Sequence, residues 1–183
     1  MRESNNRMNK QEIYHFLTER NIPYEEMEHA AVYNMEDLAL IRLPHPEWEA
    51  KNLFVRDDKR SHYYLITVKG EKRVDLKEFR KRHGLRPLSL ASAEELGDKL
   101  GLTPGSVSPF GVLNDSERCV QVYLDAAFRD GHIGVHPNAN TATVWLRAED
   151  LLAVIREHGN EAEYTEIESG NYPKKVQDGN PGV

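Results

Sequence analysis

A loop bounded by glycine and proline near the middle of the chain has residue types suited to chemistry. It runs from Gly105 to Pro109 and contains three small residues, Ser106, Val107 and Ser108. Glycine adopts backbone angles closed to other residues, and proline fixes φ and donates no hydrogen bond. Such a loop can leave the N–H groups of its three central residues unpaired, where they bind phosphate or a developing oxyanion. A rigid turn before a strand explains the same residues.

Two polar residues stand where a buried strand is predicted to begin. Lys51 and Asn52 precede Leu53–Val55, a short apolar run typical of a strand buried on both faces. A lysine is unusual there unless its ammonium group reaches a pocket or extends along apolar surface to water. Exposed lysines are common, however, so the position by itself does not establish a function.

A third candidate group follows in the segment Gly134–Thr141. His136 is predicted at the end of a strand, where a side chain can face a cleft; the alternative is a core histidine bonded to the backbone. Asn140 could equally be a turn residue that bonds its own backbone. Asp125 follows an apolar strand and fits either a helix cap or a carboxylate that supports a site.

Length and composition predict one folded domain. The chain has 183 residues, of which 39% are hydrophobic and 30% charged, and about 100–200 residues is the usual size of a domain. We predict a domain over residues 1–168 and a flexible tail over 169–183. The net charge of −6 leaves nucleic-acid binding to a local basic patch such as Lys77–Arg86, which otherwise would be a solvated helix face.

The features that the sequence lacks disfavour several classes of protein. It has no apolar run of about 18 residues and no apolar N-terminal signal, so we expect a soluble, cytoplasmic protein without membrane contact. It has no Cys/His cluster with zinc-ligand spacing, and we expect no metal and no cofactor. The single cysteine, Cys119, is predicted to be buried in a strand.

Known catalytic motifs are also missing. The sequence contains no G-x-S-x-G elbow, Walker loop, dinucleotide fingerprint or H-E-x-x-H. Backbone donors and one lysine would instead suit a reaction that needs little help from a general base. Hydrolysis of an activated ester is such a reaction.

The candidate residues require a framework that mixes strands and helices. Because these do not alternate regularly, the predicted fold is α+β, or irregular α/β, with a mixed sheet of about seven strands flanked by helices. A hairpin of Ala50–Asp57 and Tyr63–Val68 carries the lysine. A strand is predicted around Gly111–Leu113, directly after the loop. Four residues have the chemistry of helix caps: Asn9, Asn34, Asp75 and Ser92.

Three segments together resemble the YbaK/prolyl-tRNA synthetase editing-domain family. They are Lys51–Asp57 (KNLFVRD), Leu102–Gly111 (LTPGSVSPFG) and His136–Val144 (HPNANTATV). In order and spacing they are most similar to its freestanding branch, the Ala-tRNA(Pro) deacylases, and the resemblance extends from about Lys10 to Ile167. It implies a mixed sheet flanked by helices, and hydrolysis of the ester between a mischarged amino acid and the 3′ end of its tRNA.

The resemblance also implies roles for individual residues. The required lysine of the family falls on Lys51, its G-x-x-x-P loop on Gly105–Pro109 and its histidine on His136. Asn52 and Asn140 match further motif positions and are expected, with the histidine, to bind substrate. The implied partner is mischarged Ala-tRNA(Pro). Alternatives are a deacylase of another small amino acid, such as Cys-tRNA(Pro), or a non-catalytic tRNA-binding or regulatory module on the same fold.

Overall fold

The computed structural model of the protein describes residues 7–70 and 72–169. The tail predicted over 169–183 therefore lies outside the described residues, apart from Ser169. Within the described ranges, the helices are α1 (Lys10–Glu19), α2 (Met35–Leu40), α3 (Leu76–His83), α4 (Ala93–Leu100) and α5 (Ala148–His158). The strands are β1 (Tyr24–Glu28), β2 (Ala50–Asp57), β3 (Tyr63–Lys69), β4 (Leu88–Leu90), β5 (Val120–Asp125), β6 (His132–Val135), β7 (Ala142–Arg147) and β8 (Ala162–Thr165).

The predicted α+β class with mixed strand pairing is confirmed, and the strands form two sheets. A three-stranded antiparallel sheet has the order β1-β7-β6, and a five-stranded sheet has the order β4-β2-β3-β5-β8. In the larger sheet β2 pairs antiparallel with β3 and β4, whereas β5 runs parallel to β3 and β8. A single parallel bridge between Glu49 and Gly134 connects the start of β2 to β6.

The five-stranded sheet is covered on both faces, because successive side chains of a strand point in opposite directions. Phe54 and Val122 face the main core, which also contains Leu146 of the smaller sheet. Val55 faces a second, smaller core that includes Phe79 of α3. The start of β2 therefore lies between two packed layers, which fixes the position of the polar residues at its beginning.

The four predicted helix caps are confirmed. The side-chain oxygens of Asn9, Asn34, Asp75 and Ser92 each accept a hydrogen bond from a backbone N–H in the first turn of α1, α2, α3 and α4. These bonds satisfy N–H groups that have no partner inside the helix. Among the described helices, none is long and apolar enough to cross a membrane.

The strand predicted around Gly111–Leu113 is wrong, since these residues lie in a 3₁₀ helix over Pro109–Asn114. Ser108 precedes this helix and its hydroxyl accepts a hydrogen bond from the N–H of Phe110. Proline at the first helical position has the required φ and loses no hydrogen bond. The capping serine and the proline together therefore favour a helical turn over an extended strand.

The predicted burial of Cys119 is also wrong, because its side chain is exposed. β5 begins one residue later, at Val120, whose N–H donates to the carboxylate of Asp115 at 2.9 Å. The intervening turn is closed by this carboxylate and leaves the cysteine at the surface. The apolar run that predicted a buried strand therefore also contains Cys119, which is the last residue of the turn before β5.

Asp125 is both a cap and a buried ion-pair partner. Its carboxylate is 1% exposed, accepts hydrogen bonds from the N–H groups of Lys69 and Ala127 at 3.0 Å each, and lies 2.8 Å from the ammonium group of Lys72. It therefore fixes the residues after β3 against the end of β5.

Removal of this carboxylate should destabilise the fold. We expect Asp125→Ala to lower the free energy of unfolding by about 3 kcal/mol, because a buried ion pair and two N–H groups lose their acceptor. Urea denaturation would measure the loss. Asp58→Ala is the control, since Asp58 pairs with Arg86 at 2.7 Å at the surface, where ion pairs contribute little. Equal losses in the free energy of unfolding of the two variants would contradict the assignment of Asp125 as a buried ion-pair partner.

Candidate functional site

A cleft of about 440 Å³ lies where the two sheets meet. Four segments line it: residues 32–38, the start of β2 with Glu49, the loop after α4, and the end of β6 with His136. Five of the nine predicted site residues lie along it: Lys51, Asn52, Gly105, Val107 and His136. The tertiary structure thus brings together residues that are up to 85 positions apart in the chain.

A larger cleft of about 620 Å³ lies between α3 and residues 166–169 and contains none of the predicted site residues. Lys81 and Arg82 of the basic segment line it, together with the carboxylates of Glu78 and Glu166. Because both signs of charge are present, this cleft is not a uniformly positive surface. The smaller cleft is therefore the better candidate for chemistry.

The ammonium group of Lys51 is weakly held. Its Nζ donates to the carbonyl oxygen of Lys72 at 3.5 Å, which is long for such a bond. Burial lowers the pKa of the Lys51 side chain, and the positive charge of Arg73 lowers it further. A cation that is partly desolvated and faces another cation gains by binding an anion. Lys51 is thus suited to a phosphate or carboxylate group.

Asn52 leaves β2 on the face opposite to Lys51, as neighbours in a strand must. Its Oδ1 accepts a hydrogen bond from the hydroxyl of Thr67 on the paired strand β3 at 2.7 Å. This bond orients the amide, and no described residue accepts a hydrogen bond from its NH₂ group, which can therefore donate to a ligand in the cleft. Asn52 can therefore contact a ligand from the opposite face of the same strand.

Gly105 adopts a backbone conformation that other residues rarely adopt, with φ of +91°. A Cβ at this position would lie 3.0 Å from the ring of Tyr33, which is part of the cleft wall. The expectation that all three following N–H groups are unpaired is wrong for Ser106, whose N–H donates to the carbonyl of Thr103 at 3.0 Å. No described residue accepts from the N–H groups of Val107 and Ser108.

Both serine hydroxyls of the loop are engaged in its own structure. Ser106 Oγ donates to the carbonyl of Thr103 at 2.9 Å. Ser108 is fully buried, and its Oγ donates to the carbonyl of His136 while accepting from the N–H of Phe110. Neither serine lines the cleft, and a hydroxyl whose proton is committed to a carbonyl has no base to activate it. Pro109 is also buried and does not line the cleft.

His136 presents a defined tautomer to the cleft. Its Nδ1 lies 2.9 Å from the carbonyl oxygen of Ala142, which can only accept, so Nδ1 carries the proton and Nε2 is an acceptor. Burial lowers the pKa of His136, and the nearby His29 lowers it further. The imidazole is therefore neutral at neutral pH and offers a lone pair, not a charge.

Asn140 supports the wall of the cleft and does not line it. Its side-chain NH₂ donates to the carbonyl of Val32 at 3.0 Å, and its own carbonyl accepts from the N–H of Val32 at 3.2 Å. These bonds attach the segment that carries Val32 and Tyr33 to the turn after β6. Asn140 thus contributes to the cleft by fixing the position of its wall.

Glu49 is an acidic residue of the cleft that the sequence did not reveal as a candidate. Its side chain is 6% exposed, and its Oε1 accepts a hydrogen bond from the indole N–H of Trp145 at 3.1 Å. Burial raises the pKa of Glu49 to about 7. The available signal was a glutamate two residues before Lys51, but nothing in the sequence distinguishes it from the exposed Glu47 nearby.

No group of three or more His, Cys, Asp or Glu side chains with the geometry of a metal site occurs in the described part of the chain. What the cleft offers is a loop residue, Val107, whose N–H has no acceptor among the described residues, a lysine, a neutral histidine and a buried carboxyl group. Unpaired N–H groups can stabilise an oxyanion. This set of groups is suited to binding and polarising an ester.

The fold and the cleft belong to a known class. A family model described as the aminoacyl-tRNA editing domain matches residues 29–154, a range that contains every predicted site residue. The chain therefore belongs to the aminoacyl-tRNA editing domain family, and the resemblance found in the sequence is confirmed.

Relatives with assigned names are similar over most of their length. The chain is 40% identical over 152 residues to the prolyl-tRNA editing protein ProX of Acetoanaerobium sticklandii, covering 82% of this chain and 93% of that protein. It is 33% identical over 155 residues to prolyl-tRNA synthetase associated domain-containing protein 1 of Danio rerio, covering 81% and 82%. A solved structure described as a candidate trans-editing enzyme for prolyl tRNA synthetase superimposes on this chain with a TM-score of 0.68 at 21% identity. The match covers 88% of this chain and 97% of that one, and it shows that the two proteins share a fold.

The buried carboxyl group should make stability depend on pH. An unfolded glutamate titrates at about 4.3, whereas the pKa of Glu49 in the folded protein is about 7. The folded state therefore favours the neutral acid, and the cost of ionisation appears as pH rises between these values. It reaches at most about 4 kcal/mol above the folded pKa.

Glu49→Gln removes this cost and keeps an acceptor for the indole of Trp145. We expect the stability of the variant relative to the wild type to increase from about pH 5 to about pH 8. Urea denaturation of both proteins at the two pH values measures the difference. A difference that stays constant across this range would show that Glu49 does not titrate there.

Proposed function

We propose that this protein is a trans-editing aminoacyl-tRNA deacylase that hydrolyses mischarged Ala-tRNA(Pro) to alanine and free tRNA. The observation that carries the proposal is a single cleft that combines Lys51 with the unpaired N–H of Val107, in a chain that belongs to an editing family. The similarity to a protein named as a prolyl-tRNA editing protein supports proline tRNA as the substrate class.

In this proposal the loop stabilises the charge that develops during hydrolysis. Water attacks the carbonyl carbon of the aminoacyl ester, and the carbonyl oxygen becomes an oxyanion that accepts from the N–H of Val107. Loss of one such donor costs about 3–4 kcal/mol of transition-state stabilisation in other hydrolases. The C–O bond to the ribose then breaks, and the ribose oxygen leaves with a proton.

Lys51 holds the anionic end of the substrate. Its weakly bonded ammonium group is placed to pair with the phosphate of the terminal nucleotide, and a lysine binds phosphate as a point charge. Because the aminoacyl ester is already reactive, the tRNA's own ribose hydroxyl suffices to activate the water. His136, which is neutral, accepts a hydrogen bond at the cleft and does not need to carry charge.

Size accounts for selection of alanine over proline. Apolar side chains of Val32, Leu38, Val107 and Val135 line the cleft. A rigid wall of this kind can exclude the proline ring. It distinguishes alanine from cysteine less well, because one extra heavy atom on a side chain changes the free energy of binding only modestly. The proposal requires that alanine fits against this wall and that the proline ring does not, and cysteine is the competitor that the assay must include.

The experiment is a deacylation assay with Ala-, Cys- and Pro-charged tRNA(Pro). We expect rapid hydrolysis of the alanyl ester, slower hydrolysis of the cysteinyl ester and none of the prolyl ester. Equal or faster release of cysteine would assign the alternative substrate, and release of none would indicate a non-catalytic binding module.

Lys51→Ala should reduce the rate on Ala-tRNA(Pro) by about 100-fold or more, as loss of a charged substrate contact does. Lys59→Ala is the matched control, because Lys59 is exposed in the turn of the same hairpin. The melting temperature of both variants checks the fold. A wild-type rate in Lys51→Ala would remove this residue from the mechanism.

The loop makes a second prediction that separates backbone donors from a hydroxyl nucleophile. Gly105→Val should reduce the rate by about 100-fold, because a β-branched residue at φ of +91° displaces the donors that follow. Ser108→Ala should lose stability, since the carbonyl of His136 loses its donor, yet keep the rate within about 10-fold. Single-turnover rates at a temperature where both variants are folded measure this, and the opposite order would indicate a serine nucleophile.

A further inference from the structure

The reaction described above makes no use of the acid in the cleft. Glu49 lines the cleft although its side chain is 6% exposed. One carboxylate oxygen, Oε1, accepts from the indole N–H of Trp145 at 3.1 Å. The described residues give the other oxygen, Oε2, no hydrogen bond. Oε2 is not among the buried side-chain atoms that lack a partner in the described residues, so this oxygen is open to the cleft and can accept a hydrogen bond from a ligand there.

No cation of the described part of the chain forms an ion pair with Glu49. His45 influences Glu49 electrostatically, but the ring Nε2 of His45 lies 2.8 Å from a carboxylate oxygen of Glu25. The ammonium group of Lys51 donates to the carbonyl of Lys72. His136, also in the cleft, is directed by its Nδ1 toward the carbonyl of Ala142. The position beside Oε2 therefore lacks a cation and is suited to receive one.

The described residues that line the cleft include no carboxyl group other than that of Glu49. Val32, Leu38, Val107 and Val135 contribute apolar surface, and transfer of an unpaired ammonium group to such a surface is strongly unfavourable. An aminoacyl ester carries an α-ammonium group next to the carbonyl that reacts. A cleft that accepts this ester must therefore supply a counter-charge close to the loop.

We propose that Glu49 binds the α-ammonium group of the aminoacyl ester through Oε2, which holds the amino acid in register with the loop donors. This assignment rests on the proposed function, because its ligand is the amino acid end of that substrate. The carboxylate oxygen and the ammonium group would form a charge-assisted hydrogen bond. A cation at this position also favours the ionised form of the acid.

Two neighbours fix the geometry of this contact. Trp145 holds Oε1, so the carboxyl plane is set before the substrate arrives. Gly134 provides the space, since a Cβ at that position would lie 2.8 Å from Oε1 and 2.8 Å from the indole nitrogen. The ammonium, the carbonyl and the phosphate of the substrate would then each have a partner: Glu49, Val107 and Lys51.

The test exchanges the ammonium group of the substrate for a hydroxyl group. Wild type and Glu49→Gln are assayed on alanyl-tRNA(Pro) and on lactyl-tRNA(Pro), each rate divided by that of uncatalysed hydrolysis. We expect the wild type to prefer the alanyl ester by about 10- to 100-fold in kcat/KM, as a hydrogen bond between charged groups provides. In Glu49→Gln the kcat/KM on the alanyl ester should fall while that on the lactyl ester stays unchanged, so that the preference disappears.

The matched control is Glu47→Gln, which neutralises an exposed glutamate two residues away and should keep the wild-type preference. An equal loss on both esters in Glu49→Gln would overturn the assignment and place Glu49 on the attacking water or the loop. A variant that keeps the wild-type preference would overturn it as well.

A binding measurement separates this inference from the proposed function. Calorimetry with stable amide-linked alanyl- and lactyl-adenosine analogues reports recognition without turnover. If the wild type prefers the alanyl analogue and Glu49→Gln does not, Glu49 binds the ammonium group even if no ester is hydrolysed. If the wild type hydrolyses alanyl-tRNA(Pro) but shows no preference between the analogues, the function stands and this inference fails.

Discussion

The site depends on one junction, at which the residue before β2 meets β6. Glu49 and Gly134 form the bridge between the two sheets, and the indole of Trp145 donates to the glutamate that is buried there. Glycine is required on β6 because a Cβ would overlap both neighbours. The close approach of the two sheets therefore brings the start of β2 and the end of β6, with Lys51 and His136, to the same cleft.

The loop that lines the cleft is held by serine side chains whose hydroxyl groups are engaged in hydrogen bonds within the protein. Both of its serine hydroxyls donate to carbonyl groups, and the one at Ser108 connects the loop to His136. Stability and site geometry are thus coupled, because the bonds that satisfy buried polar groups also position the N–H of Val107. A rigid arrangement of donors needs no reorganisation when charge develops, which is why such loops act as oxyanion sites.

The cleft has few ionisable groups, and each of them is in a different electrostatic state. Burial keeps the pKa of His136 low and raises that of Glu49, so the site can accept a charged ligand with little charge of its own. Lys51 retains a weak intramolecular bond that a ligand can replace. An ester that is already reactive requires orientation and electrostatic stabilisation more than a strong base.

The sequence by itself determined the α+β class, the helix caps, the hairpin that carries Lys51 and the family, because these depend on local chemistry and on motifs in fixed order. The 3₁₀ helix after Ser108 and the exposure of Cys119 come from local capping and turn contacts, which the apolar pattern of the sequence did not show. Only the tertiary structure decided the division into two sheets, since it depends on contacts between distant segments. The same reason explains why Glu49 was missed. Its burial comes from Gly134 and Trp145, which lie 85 and 96 positions further along the chain, and no local pattern records that contact.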